Sequence, residues 1–329
     1  VASRLPGIAV EYLFAMETTD DPAYAVCERV RTAHPERAIR VVLSGPAKER
    51  MGKQHNLAAA EKEARGEVIA SVDADVLVGP GTLAAGLAAL AQPGTGAAYF
   101  LPCYRPPGPE GGALVALYSN YSFAPNFGAL ALVSRQPVVV GSLWLMRRAT
   151  LERIGGLDQF TATVSDDAAS GRAVAGLGLR CVLAPFTVAI PFERLSLRGG
   201  LRHLAKWIAM LRAEGLAGYT LIVLTWHPQL WAALALLAGL AAGGAATLSL
   251  SLALLGAALI ARVGGAALLN ARVYRQPALP LPLLLVPYEL LVVPLLFGAG
   301  LFRRTIEWRG RRYRIGRRGV IQGIAEASQ

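Results

Sequence analysis

A long apolar region near the C-terminus limits what this chain can fold into. From Leu216 to Phe302 the sequence is largely apolar with few ionisable residues, whereas residues 1–215 have mixed charges and apolar segments of ordinary length. Apolar runs this long are typical of helices that lie in or cross a membrane. The mean hydropathy of the chain, +0.42, agrees with that reading. The sequence therefore predicts a soluble domain followed by membrane segments.

Two stretches are long enough to span a bilayer: Leu230–Ala242 continuing through Leu248–Leu269, and Leu279–Phe302. The shorter Leu216–Thr225 is either interfacial or part of a first span. Much of the net charge of +11 lies directly after the last span, in eight arginines. These are Arg303, Arg304, Arg309, Arg311, Arg312, Arg314, Arg317 and Arg318. Such a cluster next to a candidate span predicts a cytoplasmic tail and an even number of crossings, two or four. Nucleic acid is disfavoured as a partner because no repeat of aromatic and basic residues of the RNA-binding kind accompanies the cluster.

The compartment is predicted from the cysteines and the composition. Cys27, Cys103 and Cys181 are odd in number and lack metal-site spacing, which fits a reducing cytoplasm. Abundant Ala, Gly, Leu and Arg favour a GC-rich bacterium, so we expect a multi-pass protein of the bacterial inner membrane with its soluble domain in the cytoplasm. The chain does not open on Met, and we expect that the start of the natural protein is missing.

The soluble part alternates strands with helices. Strands are predicted at Ile8–Met16, Arg40–Ser44, Val68–Val72 and Val138–Met146, helices at Ala23–His34 and Asn56–Ala64, and a polar loop at Gly45–Lys53. This order predicts an α/β domain with a mostly parallel sheet, whose ligands bind beyond the carboxyl ends of the strands.

An acidic pair follows the strand at Val68–Val72, in Asp73-Ala-Asp75. On an extended backbone the two carboxylates share a face, roughly 6–7 Å apart. Carboxylates so placed can hold Mg²⁺ or Mn²⁺ against a diphosphate. The alternative interpretation is a solvated turn at the end of a strand.

A second acidic pair, Asp166-Asp167, opens a helix that Ser165 or Asp166 can cap and that Gly176 and Gly178 end. The alternative for these acids is helix capping alone. Further on, Leu197–Glu214 predicts a basic amphipathic helix, either on a membrane surface or on the surface of the soluble domain.

These motifs form an ordered series along the chain. The series is Glu17-Thr-Thr-Asp-Asp-Pro22, Lys53-Gln-His-Asn-Leu57, Asp73-Ala-Asp75, Gly141-Ser-Leu-Trp-Leu-Met-Arg147, Ser165-Asp-Asp167, His203-Leu-Ala-Lys-Trp207 and the closing Ile306-Glu-Trp-Arg-Gly-Arg-Arg-Tyr313. In this series the chain resembles the ceramide glucosyltransferase-like inverting glycosyltransferases of families 21 and 2. The resemblance implies a GT-A (nucleotide-diphospho-sugar transferase) domain at 1–195 lacking the family's first strand, an interfacial helix at 196–215, a transmembrane region at 216–302 and a basic cytoplasmic tail at 303–329. It covers nearly the whole chain.

The resemblance also implies roles for particular residues. Asp73 and Asp75 would hold Mg²⁺ or Mn²⁺, and Asp167 would be the catalytic base, with Asp166 beside it raising its pKa by like charge. Contacts with the nucleotide-sugar are implied for Glu17, Asp21, Lys53, Asp73, His203, Lys206 and Trp207. Three positions depart from the family pattern: Glu17 stands where Asp is common, His203 replaces Gln or Arg, and Lys206 replaces Arg.

The predicted function is transfer of a sugar from a nucleotide donor, UDP-glucose or similar, to a lipid hydroxyl at the membrane. Two alternatives stay open, a polysaccharide synthase-like processive enzyme and a degenerate, non-catalytic binding domain anchored to the membrane. The processive alternative predicts a Gln-x-x-Arg-Trp motif and more spans. A dinucleotide-binding enzyme is disfavoured because no G-x-G-x-x-G follows a strand, and neither P-loop nor zinc-hydrolase spacing occurs.

Overall fold

The computed structural model describes residues 5, 7–106, 110–133, 137–191, 194–275 and 281–326. The chain divides into two compact units. The first comprises the residues up to Leu101, Leu130–Val188 and the residues from Trp308 onwards. The second comprises Pro102–Ala129 and Ala189–Glu307.

The elements of the first half are β1 (Glu11–Met16), α1 (Pro22–Ala33), β2 (Ala38–Leu43), α2 (Gly52–Glu63), β3 (Val68–Val72), α3 (Thr82–Leu90), β4 (Thr95–Arg105), α4 (Gly111–Tyr118), α5 (Ala124–Val133), β5 (Leu143–Arg147), α6 (Arg148–Arg153), α7 (Asp166–Gly176) and β6 (Arg180–Pro191). Those that follow are α8 (Leu197–Glu214), α9 (Leu216–Trp226), α10 (Pro228–Ala242), α11 (Ala245–Leu269), α12 (Leu281–Pro287), α13 (Val293–Phe302), β7 (Thr305–Trp308), β8 (Arg311–Ile315) and β9 (Ile321–Glu326). Short π-helical turns at 119–123, 270–274 and 288–292 connect several of these helices.

The α/β class is confirmed, but the sheet is mixed rather than wholly parallel. β1 and β2 pair in parallel, as the strand–helix–strand order predicts. The four-stranded sheet has the order β3-β5-β4-β6, and β5 lies antiparallel to both β3 and β4. Because β5 is inserted between its neighbours in the opposite direction, the alternation seen along the sequence does not carry through to the pairing.

The core of the first unit lies around β4 and β5. In β4 every residue from Thr95 to Tyr104 is buried, as expected of a strand with a neighbour on each side. Leu143, Leu145 and Met146 of β5 are also buried. This packed layer supports the strand ends from which the candidate site is built.

Two predicted boundaries differ from the structure where they bear on the site. α2 begins at Gly52 rather than at Asn56, so Lys53 lies in the first turn of a helix and not in a loop. β5 begins at Leu143 rather than at Val138, because the ladder with β3 ends there and the chain turns at Gly141-Ser142.

In the second unit, α8 has the predicted boundaries and packs closely on α4. A Cβ on Gly200 would lie 2.2 Å from the carbonyl oxygen of Gly111, so these two helices touch backbone to backbone. Leu204 and Ile208 are fully buried, while Arg198 and Arg202 are exposed. The apolar side of this amphipathic helix is therefore covered by protein.

Among the described residues, two helical stretches are long and apolar enough to cross a membrane, Ala245–Tyr274 and Pro282–Phe302. A third candidate is the pair α9 and α10, which is bent by 70°. The predicted stretch from Leu230 to Leu269 is interrupted at Gly243 and Gly244, whose φ angles of 67° and 121° favour glycine. The start of the predicted Leu279–Phe302 stretch lies outside the described residues.

Residues 305–326 form a three-stranded sheet with the order β7-β8-β9, where the sequence predicts no strands. In β8 the side chains alternate, with Tyr313 and Ile315 buried and Arg312 and Arg314 exposed. The high arginine content concealed this strand pattern. The sheet from Trp308 onwards belongs to the first unit.

Candidate active site

Two predicted site residues from separate segments, Asp73 and Asp166, lie close to the amine of a third, Lys53. Its Nζ atom lies 2.7 Å from Oδ1 of Asp73 and 4.0 Å from Oδ2 of Asp166. The carbonyl oxygen of Gly141 is 3.4 Å away. The side chains of Lys53, Asp73 and Asp166 are 23%, 32% and 18% exposed, so the cluster is partly buried yet open to a ligand.

The end of β3 fixes the first acidic pair. The backbone N–H of Asp73 donates to the carbonyl of Ser142 at 3.0 Å, and that of Val76 donates back to Asp73 at 3.1 Å. The strand therefore turns directly after Asp73 and leaves Asp75 exposed. Burial raises the pKa of Asp73, Lys53 opposes this, and the charges of Asp166 and Asp75 add to it, so the pKa is raised overall.

The start of α7 positions the second acidic pair. Oδ1 of Asp167 accepts a hydrogen bond from the N–H of Ala168 at 2.8 Å. A Cβ on Gly141 would lie 3.8 Å from Oδ2 of Asp167 and 3.4 Å from Nζ of Lys53. A Cβ on Gly171 would lie 2.4 Å from the carbonyl oxygen of Pro137, so glycine is what lets α7 approach this backbone. Asp167 is thereby held beside the lysine cluster.

The electrostatics of this cluster favour a cation. Burial lowers the pKa of Lys53, but the carboxylates of Asp166 and Asp73 outweigh it, so the pKa is raised and the amine stays protonated. The charges of Asp75 and Asp167 also act within the cluster. Three carboxylates, those of Asp73, Asp166 and Asp167, thus act on one ammonium group, and the charge of Asp75 acts on Asp73. Within the described part of the chain, however, no three or more His, Cys, Asp or Glu side chains are grouped so as to hold a metal ion by themselves.

Glu17 and Asp21 lie beyond the end of β1. Oε2 of Glu17 accepts from the N–H of Ala47 at 3.1 Å and lies 3.8 Å from a guanidinium nitrogen of Arg311. Asp21 caps α1, with its Oδ1 accepting from the N–H of Ala23 at 2.9 Å. Their predicted contacts with a nucleotide stay predictions.

His203, Lys206 and Trp207 lie on α8 in the second unit. The ring of Trp207 packs edge-on against Tyr104 and His203, at centroid distances of 5.6 and 4.6 Å. Burial, aided by the charge of Lys206, lowers the pKa of His203 to about 4, so this imidazole is neutral near pH 7. Their predicted contacts with the donor also stay predictions.

The structure adds supporting residues to those predicted. Asn56 Oδ1 accepts from the hydroxyl of Ser44 at 2.6 Å, and Nε2 of His55 lies 3.1 Å from the carbonyl oxygen of Ser44. Both side chains fix the end of β2 next to the site. The signals were present in the sequence, since His55 and Asn56 belong to the Lys53–Leu57 motif and Arg311 belongs to the closing motif.

In this α/β unit, carboxylates from two segments gather at one lysine, and the chain also has apolar helices. This combination fits the class of membrane-associated nucleotide-sugar transferases. A family model described as glycosyl transferase family 21 matches residues 9–321, and the chain belongs to this family. The resemblance predicted from the ordered motifs is thereby confirmed, as is glycosyltransferase as the class of enzyme. No curated protein matches the chain.

Two solved structures are similar to parts of the chain. A crystal structure of a mycobacterial protein is 19% identical, with a TM-score of 0.36, and the match covers 62% of this chain and 64% of that one. Mannosyl-3-phosphoglycerate synthase from Rubrobacter xylanophilus is 14% identical, with a TM-score of 0.29, over 60% of this chain and 74% of that one. Likenesses this distant carry no argument about substrates.

Proposed function

We propose that this chain is an inverting glycosyltransferase that moves a sugar from a UDP-sugar donor, UDP-glucose or similar, to the hydroxyl of a lipid at the membrane. The observation that carries the proposal is the convergence of Lys53, Asp73 and Asp166, with Asp167 beside them, in a chain of family 21. Substrates of this kind bring a diphosphate that needs positive charge and a hydroxyl that needs a base.

The reaction is a single displacement. The acceptor oxygen attacks the anomeric carbon, the bond from that carbon to the diphosphate breaks, and UDP leaves with the bonding electrons. The carboxylate of Asp167 takes the hydroxyl proton. Asp166, next to it in the chain and 4.0 Å from the Lys53 amine, helps to keep that amine charged. The amine of Lys53 in turn holds Asp73 in position.

The residues present fit a divalent cation that is shared with the donor. Mg²⁺ typically takes one or two protein carboxylates and completes its shell with phosphate oxygens and water. Asp73 and Asp75 offer such a pair, and the excess of carboxylates over ammonium groups in the cluster favours a cation there. When bound, Mg²⁺ or Mn²⁺ would neutralise the charge that develops on the leaving diphosphate.

The proposal is tested by following UDP-glucose turnover and lipid products in membranes that contain the protein. We expect release of UDP that requires Mn²⁺ or Mg²⁺, together with a hexose increment on a lipid in mass spectra, and loss of both in Asp75→Ala. A polymeric product would favour the processive alternative. Turnover that survives in Asp75→Ala without added metal would contradict the mechanism, and no turnover of any nucleotide-sugar would favour the non-catalytic alternative.

We also propose that the chain crosses the bacterial inner membrane twice, with the first unit in the cytoplasm. The residues before Leu101 and those after Trp308 belong to the same unit, so an even number of crossings must separate them. The structure offers either two spans or, if the bent pair α9–α10 counts as one, three. Of these two numbers, two is the even one. The bent pair α9–α10 therefore enters the membrane without crossing it, and α11 is the first span.

Single cysteines test this topology. In a background without accessible native cysteines, Ala242→Cys is expected to react with an impermeant maleimide from the cytoplasmic side, and Arg275→Cys from the opposite side. The reverse pattern would show that α9–α10 crosses the membrane.

A further inference from the structure

The C-terminal sheet contacts the segments of the first unit that carry the proposed donor-binding and base residues. Arg311 of β8 contacts two parts of the first unit: Glu17, which follows β1, and the loop at 45–51. The segment between β8 and β9 pairs with residues 162–165, directly before Asp166. The C-terminal sheet thus contacts the first unit at two separate places around the candidate active site, which indicates a role beyond that of a basic tail on the surface.

One guanidinium group, that of Arg311, links Glu17 to the loop at 45–51. One terminal nitrogen lies 3.8 Å from Oε2 of Glu17, and the other donates to the carbonyl oxygen of Lys48 at 3.4 Å. The buried Tyr313 lies two residues further along β8 and therefore on the same face of the strand as Arg311. The planar fork of arginine can serve two acceptors in this way, whereas a lysine ammonium is a point charge.

The other end of the sheet holds the segment before the base. Val164 N–H donates to the carbonyl of Gly319, and Ile321 N–H donates to that of Ala162, both at 2.9 Å. Within the same unit, the N–H of Met51 donates to Thr161 at 2.8 Å, which ties the loop before Lys53 to this segment. A chain of contacts thus runs from Glu17 through 45–51 and 161–165 to the C-terminal sheet.

We infer that the C-terminal sheet completes the donor site and that Arg311 is a positioning residue, which holds Glu17 and the 45–51 loop in the arrangement that binds the nucleoside diphosphate. This inference rests on the proposed function. Arg311 acts through Glu17 and does not touch the reacting atoms.

The test compares Arg311→Ala with Arg314→Ala, an exposed arginine on the same strand, in the full-length protein. For a pair of side chains each about one third exposed, we expect the KM for UDP-glucose and the Kd for UDP to rise about fivefold in Arg311→Ala. We expect kcat within about twofold of wild type, since the base is untouched, and partial rescue by Arg311→Lys. Arg314→Ala should match wild type.

A double-mutant cycle with Glu17→Gln identifies the route of the effect. If Arg311 acts through Glu17, Arg311→Ala changes the Kd for UDP much less in the Glu17→Gln background than in wild type. Equal Kd values for Arg311→Ala and Arg314→Ala, or additive effects in the cycle, would overturn the inference while wild-type turnover upholds the proposed function. Failure of the wild-type protein to turn over UDP-glucose or bind UDP would overturn both.

Discussion

In the described part of the chain, a cluster of charged side chains in the second unit differs from the Lys53 cluster of the first unit in how its carboxylates are satisfied. In the second unit, Glu289 is 0% exposed and both of its oxygens accept hydrogen bonds from Arg262. Gln229 and Ser122 donate to it as well. In the first unit, Asp73 and Asp166 share one ammonium group and are partly exposed.

The difference separates a structural cluster from a binding one. Removing a buried ion pair from water is costly, and only nearly complete hydrogen bonding offsets that cost, as around Glu289. The Lys53 cluster keeps more negative than positive charge and remains accessible, so a cation and a diphosphate can complete it. Charge that the protein itself leaves unbalanced in an accessible cleft is the better sign of a ligand.

The largest expected effect is on catalysis, in Asp167→Asn. If Asp167 is the base, losing its ability to accept the acceptor proton should lower kcat about 10²- to 10⁴-fold. The KM for UDP-glucose should change little, because the carboxamide keeps the shape of the side chain. Steady-state turnover with a lipid acceptor measures both.

A control for this variant is Glu36→Gln, in which the altered carboxylate of the first unit is 60% exposed and paired with Arg37. It should retain wild-type kcat. Equal activity of the two variants would remove Asp167 from the mechanism and with it the distinction between the two clusters.

Glu289→Gln should act on stability instead. It leaves the guanidinium of Arg262, which is 16% exposed, without its counter-charge, and breaking a buried ion pair in this way typically costs about 3–5 kcal/mol. Replacing both partners, in Arg262→Met with Glu289→Leu, should recover most of the loss. Thermal unfolding in detergent measures the difference. A Glu289→Gln protein of normal stability that has lost turnover would instead place this cluster in the function.

How far the sequence predicts these features depends on the range of the interactions involved. The strand Val68–Val72 and the helix Leu197–Glu214 have the predicted boundaries, because local periodicity determines them. The strand at Arg311–Ile315 was missed because three of its five residues are arginines, which concealed the alternation of buried and exposed side chains. The antiparallel insertion of β5 depends on pairing between distant segments, which no local pattern records.

The site follows the same rule. That Lys53, Asp73 and Asp167 belong together was predicted from their order along the chain, through the family resemblance. The 4.0 Å approach of Asp166 to Lys53 and the contact of Arg311 with Glu17 join segments far apart in sequence, and only the folded structure reveals them.

Lys53→Met tests the open cluster through the pH profile. The pKa of Asp73 is raised above 3.8, so its carboxylate protonates, and donor turnover falls, as the pH drops through that raised value. Lys53 opposes the rise, so its removal should move this acid limb to higher pH. Loss of a charged hydrogen bond to the cluster should also raise the donor KM about 10- to 100-fold. Lys53→Arg should keep the limb in place, and an unmoved limb in Lys53→Met would show that Lys53 does not control Asp73.

The smallest expected effect concerns Asp21, a carboxylate that accepts a hydrogen bond from its own helix. Its Oδ1 caps α1, so Asp21→Ala should lower the free energy of unfolding by about 1 kcal/mol and Asp21→Ser should restore it, as thermal melts can show. The KM for UDP-glucose in the two variants then shows whether the charge of Asp21 contributes to binding the nucleotide. A similar rise in both variants would make Asp21 a nucleotide contact, as predicted from the sequence, whereas a KM that follows stability alone would group this carboxylate with the satisfied charges around Glu289.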